Sequence, residues 1–323
     1  HTLEASFRDR EHGGYFWHID ADGRPVVRSK KIYGQAFCIY AFSEYALATG
    51  ESGPLEAARE LFRLIERHAL DTLFSGYIEA RAADWSETPD LQLSDKDMVA
   101  AKSTNTHLHL LEAYTNLVFA IIDPRVVMRL NELIGIFGRH IIRRETGGFH
   151  LGHFFDDAWT RESDTRTYGH DIESAWLLCE AASALGGEEL RETVKLWAIE
   201  FARSALAEGV DRQGGIAYEG RDGEVINADR DWWCQAEAVV GFWHVHELTG
   251  DPAYAEAATG VWRFIETHQV DRENGEWFWR VRADGAIDKN EPKVSEWKGP
   301  YHTVRMCLEM MRRLDDNGSE ETT

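Results

Sequence analysis

The sequence predicts an all-α protein folded as a toroid of helix pairs, and three observations carry that prediction. One glycine-centred turn recurs five times along the 323 residues. Its period is roughly 60–70 residues, as expected of an internal structural repeat. Helices with one wet side alternate with helices that are apolar around nearly their whole circumference.

The five turns read DREHGGYFW (9–17), DTLFSGYIE (71–79), RRETGGFHL (143–151), DRQGGIAYE (211–219) and DRENGEWFW (271–279). Ahead of the second lies GPLEAARELFRLIERH, in which Leu55, Ala58, Leu61, Phe62 and Ile65 recur at intervals of three or four behind Pro54. That pattern marks an amphipathic helix with Pro in its first turn and charges on its outer face. After the third and fourth turns come IESAWLLCEAASAL (172–185) and QAEAVVGFWHVHEL (235–248), polar only near their starts. Such helices are buried on all sides, so the outer helices form one ring and the inner ones line a bore. Independent helical hairpins in tandem would not need wholly apolar inner helices.

Toroids of this kind mostly close with six helix pairs, and only five turns are present. The first turn is preceded by HTLEASFRD where an outer helix is expected, and the chain opens on His1 rather than Met. The reading is therefore one catalytic domain over 1–323 lacking about 90 residues, the first helix pair and most of the third helix, by the repeat count. A chain so shortened is expected to be weakly active.

With 35 Lys and Arg against 56 Asp and Glu, the formal charge is −21. Nucleic acid and anionic membranes are thereby excluded as partners. No apolar run approaches the roughly 20 residues of a membrane span, and no signal-like start is visible. Cys38, Cys179, Cys234 and Cys307 are scattered through apolar patterns without C-x-x-C spacing, as expected of reduced, buried thiols in a cytoplasmic protein. The 12 Trp residues favour a sugar ligand, because aromatic faces stack on sugar rings.

Each inner helix starts with a polar or aromatic cluster: YGQAF (33–37), NTHLHLLE (105–112), YGHDIE (168–173), WWCQAE (232–237) and PYHTVR (300–305). If the inner helices run parallel, all five meet at one mouth of the bore. Asn105, His109 and Glu112 share a helix face, whereas His107 points about 160° away from His109, so the two histidines form no metal pair. His107 is read as structural and His109 as functional. His170 and Glu173 lie three residues apart, an arrangement that orients one imidazole tautomer and favours its protonated form. The bland reading of that cluster is helix capping by Asp171 and Glu173. His302 opens the last inner helix, with Arg305 one turn on and Trp297 five residues earlier; Trp233 stands one turn from Glu237. His244 and His246, deeper in their helix, are read as structural, and His12 and His18 as surface residues.

KSTNTHLHLLEAYTNL (102–117), TYGHDIESAWLL (167–178), WWCQAEAVVGF (232–242), DRENGEWFW and WKGPYHTVRMCLEM (297–310) closely resemble the cellobiose 2-epimerases of the N-acylglucosamine 2-epimerase superfamily. The resemblance runs through the whole chain in order. It implies the (α/α)6 barrel and epimerisation at C2 of a reducing-end aldose, with no cofactor and no metal. It makes His170 and His302 the two acid/base groups, Glu173 a support for His170, and His109 a helper in ring opening or at the C1 oxygen. Tyr33, Asp97, Asn105, Trp233 and Trp297 match sugar-contacting positions. Thr104 departs from the Met usual before NTHLH, and the family's sugar-binding arginine on the second helix falls upstream of residue 1.

The chemistry agrees with these residue types. Only an open-chain aldehyde acidifies the C2 hydrogen, so a proton relay must open the ring. The enediolate then formed needs preset donors, and inversion needs a proton from the opposite face. Return of that proton to C1 instead would give a ketose, which makes an aldose–ketose isomerase of the mannose isomerase type the neighbouring alternative. An inverting glycosidase needs two carboxylates about 6.5–9.5 Å apart, and the loop acids Asp156, Asp157, Glu219, Asp229 and Asp231 leave three mouth histidines unexplained. A non-catalytic sugar-binding toroid is the remaining alternative. The expected partner is a mono- or disaccharide, and the expected state a monomer or weak homodimer.

Overall fold

The structure is a computed structural model that describes residues 2–94, 97–145 and 148–320, the side chains of 316–320 aside. His1 and the third turn's Thr146 and Gly147 lie outside the described residues. The chain forms two compact units, one from residues 1–142, 152–164 and 180–188, the other from 143–151, 165–179 and 189–323.

In the first unit α1 (Ile32–Thr49) packs on α2 (Ser52–His68) and α3 (Thr104–Ala120), and α3 also packs on α4 (Pro124–Ile136). The predicted alternation is present. α2 buries Ala58, Leu61, Phe62 and Ile65 while Glu60 and Arg63 are exposed. α3 is buried without a break from Thr106 to Thr115. Each large apolar side chain so enclosed contributes about 1.5–3 kcal/mol. Helix starts are fixed locally: Ser103 accepts the Thr106 N–H at α3, and Asp123 accepts the Arg125 N–H at α4 with Pro124 behind it. Thr104 Oγ1 donates to the Gly152 carbonyl, which gives the departure from Met a structural use.

The second unit holds the first part of α5 (Tyr168–Leu185), α6 (Glu188–Ser204), α7 (Trp232–Thr249), α8 (Pro252–Phe264) and α9 (Tyr301–Glu320). α7 packs on α8 and α9 and is buried from Cys234 to Phe242. Gly241 lets α7 meet α5, since a Cβ there would lie 2.4 Å from the Ile172 carbonyl oxygen. α8 repeats the cap of α4, with Asp251 accepting the Ala253 N–H ahead of Pro252. On α9, Leu308, Met311 and Leu314 are exposed.

The recurring turn is a latch. Antiparallel bridges close it at Arg8–Tyr15, Leu70–Tyr77, Val210–Ile216 and Val270–Trp277. In four of the five copies a leading aspartate turns the chain and pairs with a cation. Asp9 accepts the Glu11 and His12 N–H groups on one oxygen and Lys30 Nζ (2.7 Å) on the other. Asp71 does the same with Leu73, Phe74 and Lys102 Nζ (2.6 Å), and Asp271 with Glu273, Asn274 and Lys293. Lys30 and Lys102 are wholly buried. Gly14 and Gly76 are required: both have positive φ, and a Cβ would lie 2.7 Å from Trp85 and 2.5 Å from Trp159.

A second repeated contact ties the turn to the inner helix. At the helix's fourth position, Gln35 accepts the Tyr15 N–H, His107 the Tyr77 N–H, Asp171 the Leu151 N–H and Gln235 the Ile216 N–H. The sixth position, about 200° further round, carries Phe37, His109, Glu173 and Glu237. One face of each of these four inner helices grips a hairpin, and the opposite face is left for chemistry.

Of the four cysteines, Cys38 and Cys234 are buried and Cys179 is half-buried. Cys307 is exposed on α9, so the expectation of uniformly buried thiols is corrected there. Among the described residues no helix is long and apolar enough to cross a membrane.

Candidate active site

In the second unit, three helix starts bring the predicted residues together. The indole of Trp233, second residue of α7, lies 4.7 Å from the His170 ring of α5 and 5.7 Å from the His302 ring of α9. A small residue permits this approach: a Cβ at Gly169 would lie 2.5 Å from the Trp233 ring.

The two imidazoles are held differently. His302 Nδ1 meets Glu237 Oε1 at 2.6 Å, whereas His170 Nδ1 meets the Thr167 hydroxyl. Glu237 is 1% exposed and also accepts the Trp176 indole N–H at 3.1 Å. Burial raises its proton affinity, but the Arg305 charge and the His302 hydrogen bond outweigh burial and bring its pKa down to about 2. Arg305 Nη2 donates to Glu237 Oε1 (2.7 Å) and to Glu173 Oε1 (3.0 Å). Its guanidinium carbon lies 4.8 Å from the Trp176 ring centre and 4.1 Å from that of Tyr301. Oxygen and nitrogen atoms of Glu173, Glu237 and His302 lie within 4.8 Å of one another, and the cation set among them is this guanidinium. Glu173, expected beside His170, thus has Arg305 as a partner.

In the first unit, His109 is 4% exposed and its Nδ1 meets Glu112 Oε2 at 3.0 Å. Tyr33 stands edge-on to the His109 ring at 5.2 Å and Phe37 tilts against it at 4.7 Å. Asn105 is half-buried one turn earlier on α3. Asp97 is engaged in its own loop, accepting the Ser94 N–H (2.9 Å) and hydroxyl (2.8 Å). Trp297 is half-buried on the loop ahead of α9, its N–H on Ser295 Oγ.

The histidines read as structural are so placed. His107 donates Nδ1–H to the Ser103 carbonyl and accepts the Tyr77 N–H on Nε2, and burial lowers its pKa to about 4. His244 meets Arg313, His246 meets the Asp251 carbonyl, and His12 and His18 are exposed. Asp171 is more than a favourable charge at a helix start: it accepts the Leu151 N–H and pairs with His150 at 2.8 Å. A cavity of about 630 Å³ in the first unit, lined by Leu70–Tyr77, Arg129, Glu132, Leu133, Ile136 and Arg139, contains none of the predicted site residues.

Sequence reasoning missed the work of Glu237, Trp176 and Thr167. The available signal was a carboxylate at the sixth position of an otherwise apolar helix, seen twice, in α5 and α7.

The sequence profile of the family described as N-acylglucosamine 2-epimerase (GlcNAc 2-epimerase) matches residues 1–305. A cellobiose 2-epimerase of Bacteroides fragilis is 41% identical over 94% of this chain and 77% of its own length. Among solved structures, the cellobiose 2-epimerase of Spirochaeta thermophila is 40% identical with a TM-score of 0.88, covering 98% of this chain and 78% of that one. That of Bacillus thermoamylovorans is 33% identical with a TM-score of 0.90, covering 97% and 79%. A D-mannose isomerase of Marinomonas mediterranea is more distant, at 23% identity over 94% of this chain and 76% of its own. The expected (α/α)6-barrel fold class is that of the epimerase structures.

Proposed function

The chain belongs to the N-acylglucosamine 2-epimerase family, and on that premise we propose that it inverts C2 of a reducing-end aldose of the cellobiose type, using His170 and His302 as opposed acid and base. It is a carbohydrate epimerase. The observation that carries the mechanism is the pair of imidazoles against one indole, 4.7 and 5.7 Å from Trp233.

Ring opening exposes the C1 aldehyde, and one histidine then removes the C2 proton as a general base. The electron pair moves onto the C1 oxygen, giving a cis-enediolate whose charge preset donors must stabilise. The other histidine returns a proton to the opposite face of C2. His302 suits either half of this exchange, because Glu237 holds its Nδ1 and so orients the ring. Glu173 supports the pair through Arg305. Trp233 and Trp297 are the proposed sugar contacts of the second unit. Aromatic faces there support preference for a trailing glucosyl unit. The relatives' named substrate supports cellobiose over free mannose, and the scattered cysteines without C-x-x-C spacing support a cytoplasmic setting.

Incubating cellobiose and mannose with the protein in D2O and following C2 by NMR tests this reading. A manno-configured product labelled at C2 is the expected result. A ketose labelled at C1 would replace it with isomerisation, free glucose with hydrolysis, and unchanged sugar would leave only binding.

A further inference from the structure

The unusual feature of the second unit's cluster is that one arginine nitrogen serves two buried carboxylates, one of which also holds an imidazole. We propose that Arg305 is a positioning residue that fixes at one the number of protons that Glu173, Glu237 and His302 hold beyond the neutral ring's own. The inference deepens the epimerase reading and takes its catalytic consequence from it.

Charge counting gives the reason. Glu173 and Glu237 side chains are each 1% exposed, and Arg305 is 9% exposed. Two carboxylates and one guanidinium leave a net charge of −1, and a buried charge without compensation is costly. One proton beyond the neutral ring's own makes His302 an imidazolium and neutralises the cluster, with Glu237 accepting its Nδ1–H. Were the arginine absent, two negative charges would remain and the cluster would bind a second proton. Were Glu173 neutral, no charge would remain to hold even the first. The guanidinium cannot drift from this duty, because Trp176 and Tyr301 fix its plane and Tyr301 also accepts from Nη1.

Charged and titratable groups around the cluster include His170 and Glu173 from α5, Cys234 and Glu237 from α7, and Tyr301, His302 and Arg305 from α9. Asp231, on the strand ahead of α7, is already matched by Arg280 at 2.6 and 3.0 Å. Cys234 is a thiol whose ionisation burial and the neighbouring carboxylates oppose, so it supplies no charge.

The test uses two substitutions of opposite sign in the full chain, read by the pH profile of C2 exchange in D2O and by the titration of ring-labelled His302 in the absence of sugar. Arg305→Met moves the His302 titration and the limb of the profile it governs to higher pH by about one unit or more, a tenfold loss of rate at a fixed pH on that limb. Glu173→Gln moves both to lower pH. Arg305→Lys keeps the charge and loses the fork, so the limb stays while kcat falls roughly tenfold with little change in KM. Opposite displacements support the proposal even if Arg305→Met folds poorly, since Glu173→Gln and Arg305→Lys carry it alone. Displacements of the same sign, or an unmoved His302 titration in folded variants, overturn it. The sugar-free titration separates the two ideas: a protein that titrates as expected but turns over no sugar defeats the epimerase reading and leaves the charge count standing.

Discussion

Glu79 in the first unit and Glu237 in the second are both enclosed carboxylates, 4% and 1% exposed, yet they carry opposite shifts. Glu79 accepts the Ser103 N–H (2.7 Å) and the Thr106 hydroxyl (2.8 Å), dipoles at the start of α3. Burial outweighs them and pushes its pKa up to about 7. For Glu237 burial is as complete, but Arg305 and His302 answer it with charge and bring the pKa down to about 2. Burial alone therefore does not say what a carboxylate does. Dipoles suffice to build a helix start, whereas holding a proton on a neighbouring base takes a full cation.

The largest effects should separate the pair by activity. His302→Gln and His170→Gln each remove a proton carrier and are expected to cost about 10³-fold or more in kcat for epimerisation. Glu237→Gln, which leaves His302 without its anion, is expected to cost about 10²-fold, and Glu79→Gln less than about threefold. Steady-state kinetics on cellobiose checks the series. A loss with Glu79→Gln equal to that with Glu237→Gln would erase the distinction.

This difference also marks where the sequence stopped being readable. The repeat shows as recurring sequence, and the helix alternation and the face of His109 are local, set by periods of three to four residues; the fold followed from them. His170, Trp233 and His302 were visible because polar residues interrupt apolar helices at their starts. The partners were not, because Arg305 lies 132 residues from Glu173 and 68 from Glu237, and no local period records such distances. The buried lysine that each of two turn aspartates holds was not legible either: Lys30 is 21 residues from Asp9 and Lys102 is 31 from Asp71. The fourth-position grip was missed for another reason. Gln35, His107, Asp171 and Gln235 share a task and no chemistry beyond accepting one N–H.

Stability against pH gives the next largest contrast. Glu79 holds its proton more tightly folded than unfolded, so its contribution is complete below its ordinary value of 4.5 and is lost as pH rises through about 7. The expected loss is about 3 kcal/mol over that window. Glu237 works in the other direction: its contribution is present above 4.5 and is lost as pH falls toward about 2. Denaturant unfolding at pH 5 and 7.5 should show the first decline in the native chain and a flatter course in Glu79→Gln. An identical slope in both would mean that Glu79 titrates alike in the folded and unfolded chain.

The smallest effect tests the grip against the chemistry on one helix. His107 and His109 lie two residues apart on opposite faces of α3, and His107 is neutral above about pH 5 because burial holds its pKa near 4. His107→Leu strips the Tyr77 N–H of its acceptor and should cost about 1–3 kcal/mol of stability without moving the pH profile of activity. His107→Gln should cost less than about 1 kcal/mol, since glutamine already does this work at Gln35 and Gln235. Thermal unfolding with parallel pH-rate profiles decides the matter. A glutamine variant as unstable as the leucine one would show that α3 needs the imidazole's second bond, from Nδ1 to Ser103, which a glutamine at that position has no ring to supply.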